Sequence, residues 1–298
     1  MSARDTALDT SESTELVTVP DGRLRPTSRG RDIGLMLGGY VGLQFVSVLF
    51  GLSGSVGLAV ILLTFAWIIR RRRVWFRSVS QQRDIQAALA RDDVGEAARL
   101  GRSLLMHGPR FGLAHAVSVA VWGVIELRRS RPDQAIAALE RALGCGRFVG
   151  RTGRVLESWR IIASLAYAYA IIDAVPRAQA TLERADAELP QNRKGALLAI
   201  RVYVACRGND PHEAIKLLDT QWRTAEPLLT VGGARTTRML EAFALELAPD
   251  DEYRGDSRER QSRALDRARE AGPGAYDYLA VRWPELADFL ARHALSQP

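Results

Sequence analysis

The chain has 298 residues, of which 47% are hydrophobic, and it carries a formal net charge of +7. This length allows one or two domains with a sizeable core, and the apolar content excludes a fully disordered chain. Two cysteines exclude a disulfide framework and a multi-cysteine metal site, and four dispersed histidines argue against a histidine metal cluster. Among the 41 basic residues only Lys194 and Lys216 are lysines, and the positions of the arginines must decide their role.

The first 31 residues lack hydrophobic periodicity and are interrupted by Pro20, Gly22, Pro26 and Gly30. They begin with scattered acidic side chains and end with Arg23, Arg25, Arg29 and Arg31. This composition predicts a disordered tail over residues 1–31.

A run of 37 residues without a charged side chain follows, from position 33 to position 69. A bilayer core needs about 20 helical residues to cross, so the run is too long for one span and suits two short ones with a turn at 51–55. We therefore expect a transmembrane helical hairpin and its arginine-rich juncture over residues 32–79. A re-entrant hairpin that does not fully cross and a buried soluble hairpin remain alternatives.

Arginines flank the uncharged run on both sides. Four precede it, and Arg70, Arg71, Arg72, Arg73 and Arg77 follow it. The positive-inside rule then puts both flanks in the cytoplasm, as an even number of crossings requires. We expect a multi-pass protein of the cell's inner membrane, with membrane lipids as one partner.

Small residues repeat every four positions at the start of this run, at Gly34, Gly38 and Gly42. This spacing places them on one helix face and allows close helix approach. Packing between the two hairpin helices is the favoured interpretation, and a homo-oligomer contact is the alternative.

The remainder of the chain, residues 80–298, is predicted to be helical throughout, so the fold class is all-α. In Asn209-Asp210-Pro211, Asp210 suits the N-cap and Pro211 the first helical position. The predicted helices cover residues 81–91, 94–106, 113–129, 132–143, 154–172, 176–188, 193–207, 211–222, 234–247, 257–270 and 284–293.

The helices come in pairs, and alanines recur in the second helix of successive pairs at positions 97, 135, 178 and 214. Two units resemble the tetratricopeptide repeat in these residues: Trp122, Gly123, Ala135, Leu139 and Ala142, then Leu165, Ala166, Tyr169, Ala178, Leu182, Ala185 and Pro190. The small residue of each unit (Gly123 or Ala166) lets the second helix cross close to the first. The resemblance implies an α-solenoid of two good and two or three degenerate repeats, closed by a cap around 283–290.

The resemblance also implies a concave groove lined by the first helices, which would bind a protein or peptide. The groove positions are Val117, Val121, Val124 and Arg128, then Arg160, Ser164 and Tyr167, then Ile200, Tyr203 and Arg207. Such a groove suits an extended peptide with apolar and acidic side chains. Val124 and Tyr167 stand where chaperone-binding repeats have asparagine, which argues against recognition of a peptide C-terminus. The alternative is that the two tyrosines pack inside the solenoid.

The layout of hairpin, arginine-rich juncture and repeat domain is similar to that of the HemY family, which is associated with haem biosynthesis. Two functions follow as expectations: a membrane-anchored scaffold or adaptor for a protein partner, or an accessory factor of a membrane-associated biosynthetic pathway. No catalytic or metal-binding motif occurs, so we expect neither an enzyme nor a cofactor. Nucleic-acid binding is not expected, because the arginines of the repeat region alternate with acids.

Overall fold

A computed structural model of the protein describes residues 53–91, 93–108, 112–145, 158–248 and 257–297. Within these ranges every regular element is an α-helix or a short 3-10 helix, which confirms the all-α class. The predicted tail over 1–31 and the first arm of the predicted hairpin lie outside the described residues.

The described helices follow the predicted ones closely. The prediction of one helix over 193–207 is wrong, since a 3-10 helix, Gln191–Leu197, precedes the α-helix there, and a second 3-10 helix spans Glu226–Leu228. The four-residue helix α11 had no sequence signal. The α-helices are α1 Ser53–Ala90, α2 Val94–His107, α3 Gly112–Arg128, α4 Pro132–Gly144, α5 Ser158–Ile171, α6 Val175–Glu188, α7 Leu198–Arg207, α8 Pro211–Ala225, α9 Val231–Leu247, α10 Ser257–Arg269, α11 Asp277–Ala280 and α12 Pro284–Arg292.

Helix α1 is continuous over 38 residues. It joins the second half of the uncharged run to the first helix predicted for the repeat domain, without a break at the arginines. Its last turns pack into the solenoid through Ile85 and Ala88, both fully buried. Among the residues that the structure describes, no helix combines the length and apolar character needed to cross a membrane.

The helices stack in antiparallel pairs: α1 with α2, α3 with α4, α5 with α6, α7 with α8, and α9 with α10. The second helix of each pair contacts the first helix of the next, and α3, α5, α7 and α9 also contact one another in sequence. This packing is solenoid-like, in that each pair buries its apolar face against its neighbours, and the stacked pairs are called the solenoid below.

The turns inside three successive pairs share one geometry. Ser130, Asp173 and Asn209 each have a positive φ of about 60° (61°, 66° and 59°) just after the first helix. In each turn the next residue donates its backbone N–H five residues back, from Arg131 to Glu126 for example, as in a Schellman motif. The second helix then starts with a proline in its first turn. As predicted, Asp210 caps α8, accepting the Glu213 N–H over 2.9 Å.

Close crossing within the α3–α4 pair depends on Gly123. A Cβ atom at this position would lie 2.7 Å from Leu139 Cγ and 3.3 Å from the Ala135 carbonyl oxygen. Ala135 and Leu139 are fully buried, as are Ala166 and Ala178 in the next pair. The contact that the sequence predicted between the small residue of the first helix and the alanine of the second is therefore present.

Candidate functional site

The predicted groove positions belong to the first helices α3, α5 and α7, and they differ in accessibility. On α3, Val117, Val121 and Val124 are half-buried. On α5, Arg160 is exposed and Ser164 is half-buried, with its hydroxyl donating to the Arg160 carbonyl over 2.9 Å. The predicted positions on α3 and the first half of α5 thus keep some accessible surface, apolar on α3 and cationic at Arg160, whose guanidinium lies 5.3 Å from the centre of the Trp159 ring.

The other part of the groove is covered by the chain itself. Residues 277–283, called the C-terminal segment below, comprise α11 and the three residues that follow it. Tyr203 on α7 has no exposed surface, and its hydroxyl donates to the Leu279 carbonyl over 2.7 Å. The Tyr203 ring meets Trp283 edge to face, with centroids 5.4 Å apart. Burial raises the pKa of the Tyr203 hydroxyl well above its usual value of 10.

Tyr167 on α5 packs beside Tyr203, with ring centroids 5.4 Å apart. Its pKa is also raised, because the hydroxyl is buried among aromatic side chains. Ile200, the third predicted position of this region, is buried in the core. The expectation of an open groove is therefore not met along α7, where aromatic side chains of the C-terminal segment fill the space. The alternative that the tyrosines pack inside the solenoid fits this arrangement.

Both predicted groove arginines near the helix ends face the C-terminal segment. The guanidinium of Arg207 stacks on Trp283, 4.9 Å from the ring centre, and donates from Nη2 to the Arg282 carbonyl over 2.8 Å. Its Nε lies 3.1 Å from Asp173 Oδ1. Arg128, at the equivalent position of α3, lies 4.5 Å from the centre of the Tyr278 ring. Stacking on an aromatic face is a recurring role of arginine.

One further ion pair ties the C-terminal segment to an early pair. Arg282 donates from Nη2 to Asp133 Oδ2 over 2.5 Å, and its Nη1 lies 3.4 Å from Oδ1. Asp133 belongs to the first turn of α4, 149 residues away in sequence. The segment thus spans three consecutive pairs, by way of α4, α5 and α7.

Sequence reasoning missed Tyr278, Arg282 and Asp133 as partners of the groove residues. Trp283 was expected only as the start of a terminal cap. The one usable signal was the concentration of aromatic side chains in Tyr276-Asp277-Tyr278 and Trp283 just before the last helix. Nothing local in the sequence indicates that these side chains return to α3, α5 and α7.

In the part of the chain that the structure describes, the carboxylates of Glu126 and Glu241 are also buried, and both lie beside arginines. Glu126 on α3 has no exposed side-chain surface and lies 3.0 Å from Arg129 and 3.7 Å from Arg131. Burial raises its pKa, and the two arginines offset this only in part. Glu241 on α9 accepts from Arg260 Nε over 2.6 Å, which links α9 to α10. These pairs join neighbouring elements and leave no open carboxylate for chemistry at either place.

The two cysteines also sit within helical packing. Cys206 is buried on α7, and burial raises the pKa of its thiol to about 12. Cys145, at the end of α4, directs its Sγ to the Ala142 carbonyl. A thiol that is protonated at neutral pH is a poor nucleophile, so Cys206 acts as a small apolar core residue.

Across the residues that the structure describes, no group of histidine, cysteine and carboxylate side chains could hold a metal ion.

No family model, curated protein or solved structure matches this chain.

Proposed function

We propose that this protein is a membrane-anchored scaffold or adaptor of the tetratricopeptide-repeat type. A helical hairpin within residues 32–79 anchors it in the inner membrane, and the solenoid faces the cytoplasm. The groove part on α3 and the first half of α5 binds a protein partner through an extended, apolar and acidic segment.

One observation carries the anchor, namely the two different environments along α1. At one end the apolar side chains of Leu62, Leu63 and Phe65 are exposed to 60%, 66% and 62%. At the other end, beyond the arginines, Ile85 and Ala88 are buried in the solenoid. A cluster of exposed large apolar side chains on a helix marks a surface that a membrane or another protein covers. The arginines that follow them suit the cytoplasmic edge of a bilayer.

The partner chemistry follows from the accessible groove residues. Val117, Val121 and Val124 offer apolar surface at successive turns of α3, which suits apolar side chains of a partner. Arg160 on α5 is exposed, with its guanidinium 5.3 Å from the centre of the Trp159 ring. It suits a carboxylate, since arginine pairs with carboxylates through two hydrogen bonds. Tyr203 and Arg207 instead hold the C-terminal segment in place.

Proximity labelling with the full-length protein in its native membrane tests this function. The wild type should label a defined set of proteins, and Arg160→Glu should remove the principal one. The matched control is Arg223→Glu, which reverses an exposed arginine of α8 and should leave labelling unchanged. Identical labelling by the wild type and Arg160→Glu would contradict the groove site. Recovery of a biosynthetic enzyme as the partner would favour the accessory-factor alternative.

A further inference from the structure

One exposed stripe of α1 continues from the apolar end of the helix past the arginines. It consists of Leu62, Phe65, Ile69, Arg73, Phe76 and Arg77. Successive members are three or four residues apart, except that Arg77 directly follows Phe76. Residues at this spacing lie on one helix face. Phe76 is 60% exposed, although it lies seven residues beyond Ile69 and on the solenoid side of the arginine cluster.

The opposite face of the same helix turns into the solenoid. Ser78 and Ile85 are buried there, and α1 packs against α2 and α3. The stripe and the solenoid therefore occupy opposite sides of one rigid helix, and the orientation of the stripe fixes that of the solenoid.

The composition of the stripe suits a membrane surface. Phe76 stands between Arg73 and Arg77, and this combination of an aromatic ring with cationic side chains is typical of interfacial helices. Side chains on a helix tilt toward its N-terminus, so these three point back toward the apolar end. Phe76 is about 10 Å of helix rise beyond Ile69, and the headgroup layer is about 5–7 Å thick. A lean of α1 toward the stripe, together with this tilt, brings the Phe76 ring into the headgroup layer.

We propose that Arg73, Phe76 and Arg77 rest in the headgroup layer of an anionic bilayer. Helix α1 then leans with its stripe toward the bilayer and holds the solenoid on the side of the helix that faces away from it. The inference rests on the proposed membrane anchor and adds the lipid class and the orientation. The contact ends before Asp84, whose exposed carboxylate lies on the same side of the helix and would be repelled by anionic lipid.

Fluorescence quenching in reconstituted full-length protein tests the orientation. Single cysteines are introduced as Leu62→Cys, Phe76→Cys or Val231→Cys in a Cys145→Ser, Cys206→Ala background, and each is labelled with an environment-sensitive fluorophore. Vesicles contain phosphatidylcholine alone or with phosphatidylglycerol, and carry quenchers on the headgroup or deep in the acyl chain. Position 62 should respond to the deep quencher, and position 76 to the headgroup quencher in anionic vesicles. Position 231, an equally exposed site on α9, should respond to neither.

Charge reversal tests the lipid class. Arg73→Glu combined with Arg77→Glu should abolish the headgroup quenching at position 76, because each arginine contributes about fivefold, ~1 kcal/mol, to binding of an anionic surface. Equal quenching at position 76 in neutral vesicles, or after the double reversal, would overturn the anionic-lipid proposal. Quenching at position 62 without quenching at position 76 would contradict the proposed orientation of α1 but leave the membrane anchor in place. No quenching at 62 would refute the anchor itself, and with it the proposed function.

Discussion

At the scale of single residues, position in the stack decides what a side chain does. Gly123 and Gly232 are both helical glycines, but a Cβ on Gly123 would collide with Leu139, whereas nothing lies within 4 Å of one on Gly232. Tyr203 and Arg160 both lie on first helices, yet Tyr203 is a core residue and Arg160 is exposed. Residue type alone does not distinguish the two glycines.

Gly123→Val should destabilise the protein, because the new side chain must push α4 away from α3. Overpacking of this kind costs about 1–3 kcal/mol. The matched control, Gly232→Ala, should be neutral or stabilising by up to about 1 kcal/mol, since alanine favours the helix and meets open space. Thermal unfolding followed by circular dichroism checks both, and an unchanged midpoint for Gly123→Val would contradict the close crossing.

At the scale of elements, the repeated turns and the terminal helix position the stack. Ser130, Asp173 and Asn209 end the first helices of three pairs in the left-handed conformation. The intervals between them, 43 and 36 residues, equal those between Ala135, Ala178 and Ala214. The turn geometry and the alanine contact therefore recur together, as expected if each pair is one structural repeat.

Because Ser130 has a positive φ, two substitutions at this position should differ in their effect on stability. Ser130→Val should destabilise by roughly 1–2 kcal/mol, because a β-branched side chain clashes with the backbone at positive φ. Ser130→Gly should be neutral or slightly stabilising, because glycine adopts this conformation without that clash. Chemical denaturation of both variants measures the difference, and equal stabilities would count against the turn geometry.

Helix α12 is tied to α9 through Glu246, which accepts from Arg292 and lies 2.8 Å from His293 Nε2. Burial raises the pKa of Glu246, but the hydrogen bonds from His293 and Arg292 outweigh it and leave the pKa below its ordinary value of 4.5. A carboxyl whose pKa is lowered by folding stabilises the folded state above the unfolded-chain pKa. This contribution is lost as the pH falls through the lower, folded-state pKa.

Glu246→Gln should therefore be less stable than the wild type at pH 7. The difference should shrink as the pH falls below about 4.5, where the wild-type carboxyl becomes protonated. Unfolding midpoints measured at several pH values provide the check. Glu259→Gln, which changes a carboxylate that is 73% exposed on α10, serves as the control at pH 7 and should match the wild type. A stability difference that does not depend on pH would contradict the role of the charge.

At the scale of the whole molecule, the C-terminal segment closes one part of the groove. Trp283 is almost fully buried and packs against Tyr203, Phe243 and Arg207, so it joins α7 and α9. Arg282 extends the contact to α4. The solenoid is thereby fixed by contacts between distant pairs, in addition to those between neighbours, and the predicted groove positions along α7 are covered.

Trp283→Ala should remove this closure. Replacing a buried tryptophan costs about 3–5 kcal/mol, a large share of the stability of a typical domain. Hydrogen exchange should show the amides of residues 277–292 losing protection, while those of α3 and α4 keep theirs. Trp222→Ala, which removes a partly exposed tryptophan stacked on Arg238, is the control and should leave 277–292 protected. Uniform loss of protection across the chain would indicate general unfolding and contradict a local closure.

The sequence by itself determined most of the helices after residue 80, their pairing and the close crossing at Gly123. These features depend on local signals: apolar periodicity, caps such as Asp210, prolines in the first turn and small residues at fixed spacing. The same signals placed Val121 and Val124 on one face of α3, and Arg160 and Ser164 on one face of α5.

Only the tertiary structure decided which groove positions are accessible. Tyr203 bonds to a carbonyl 76 residues away, and Arg282 pairs with a carboxylate 149 residues away. No helical period or cap encodes such a contact, because it depends on where the stacked pairs bring the C-terminal segment. The continuity of α1 through the arginines likewise became visible only in the structure, since a charged run can end a helix or lie within one. The packing of the C-terminal segment thus covers the predicted positions along α7, of which Ile200 and Tyr203 are core residues.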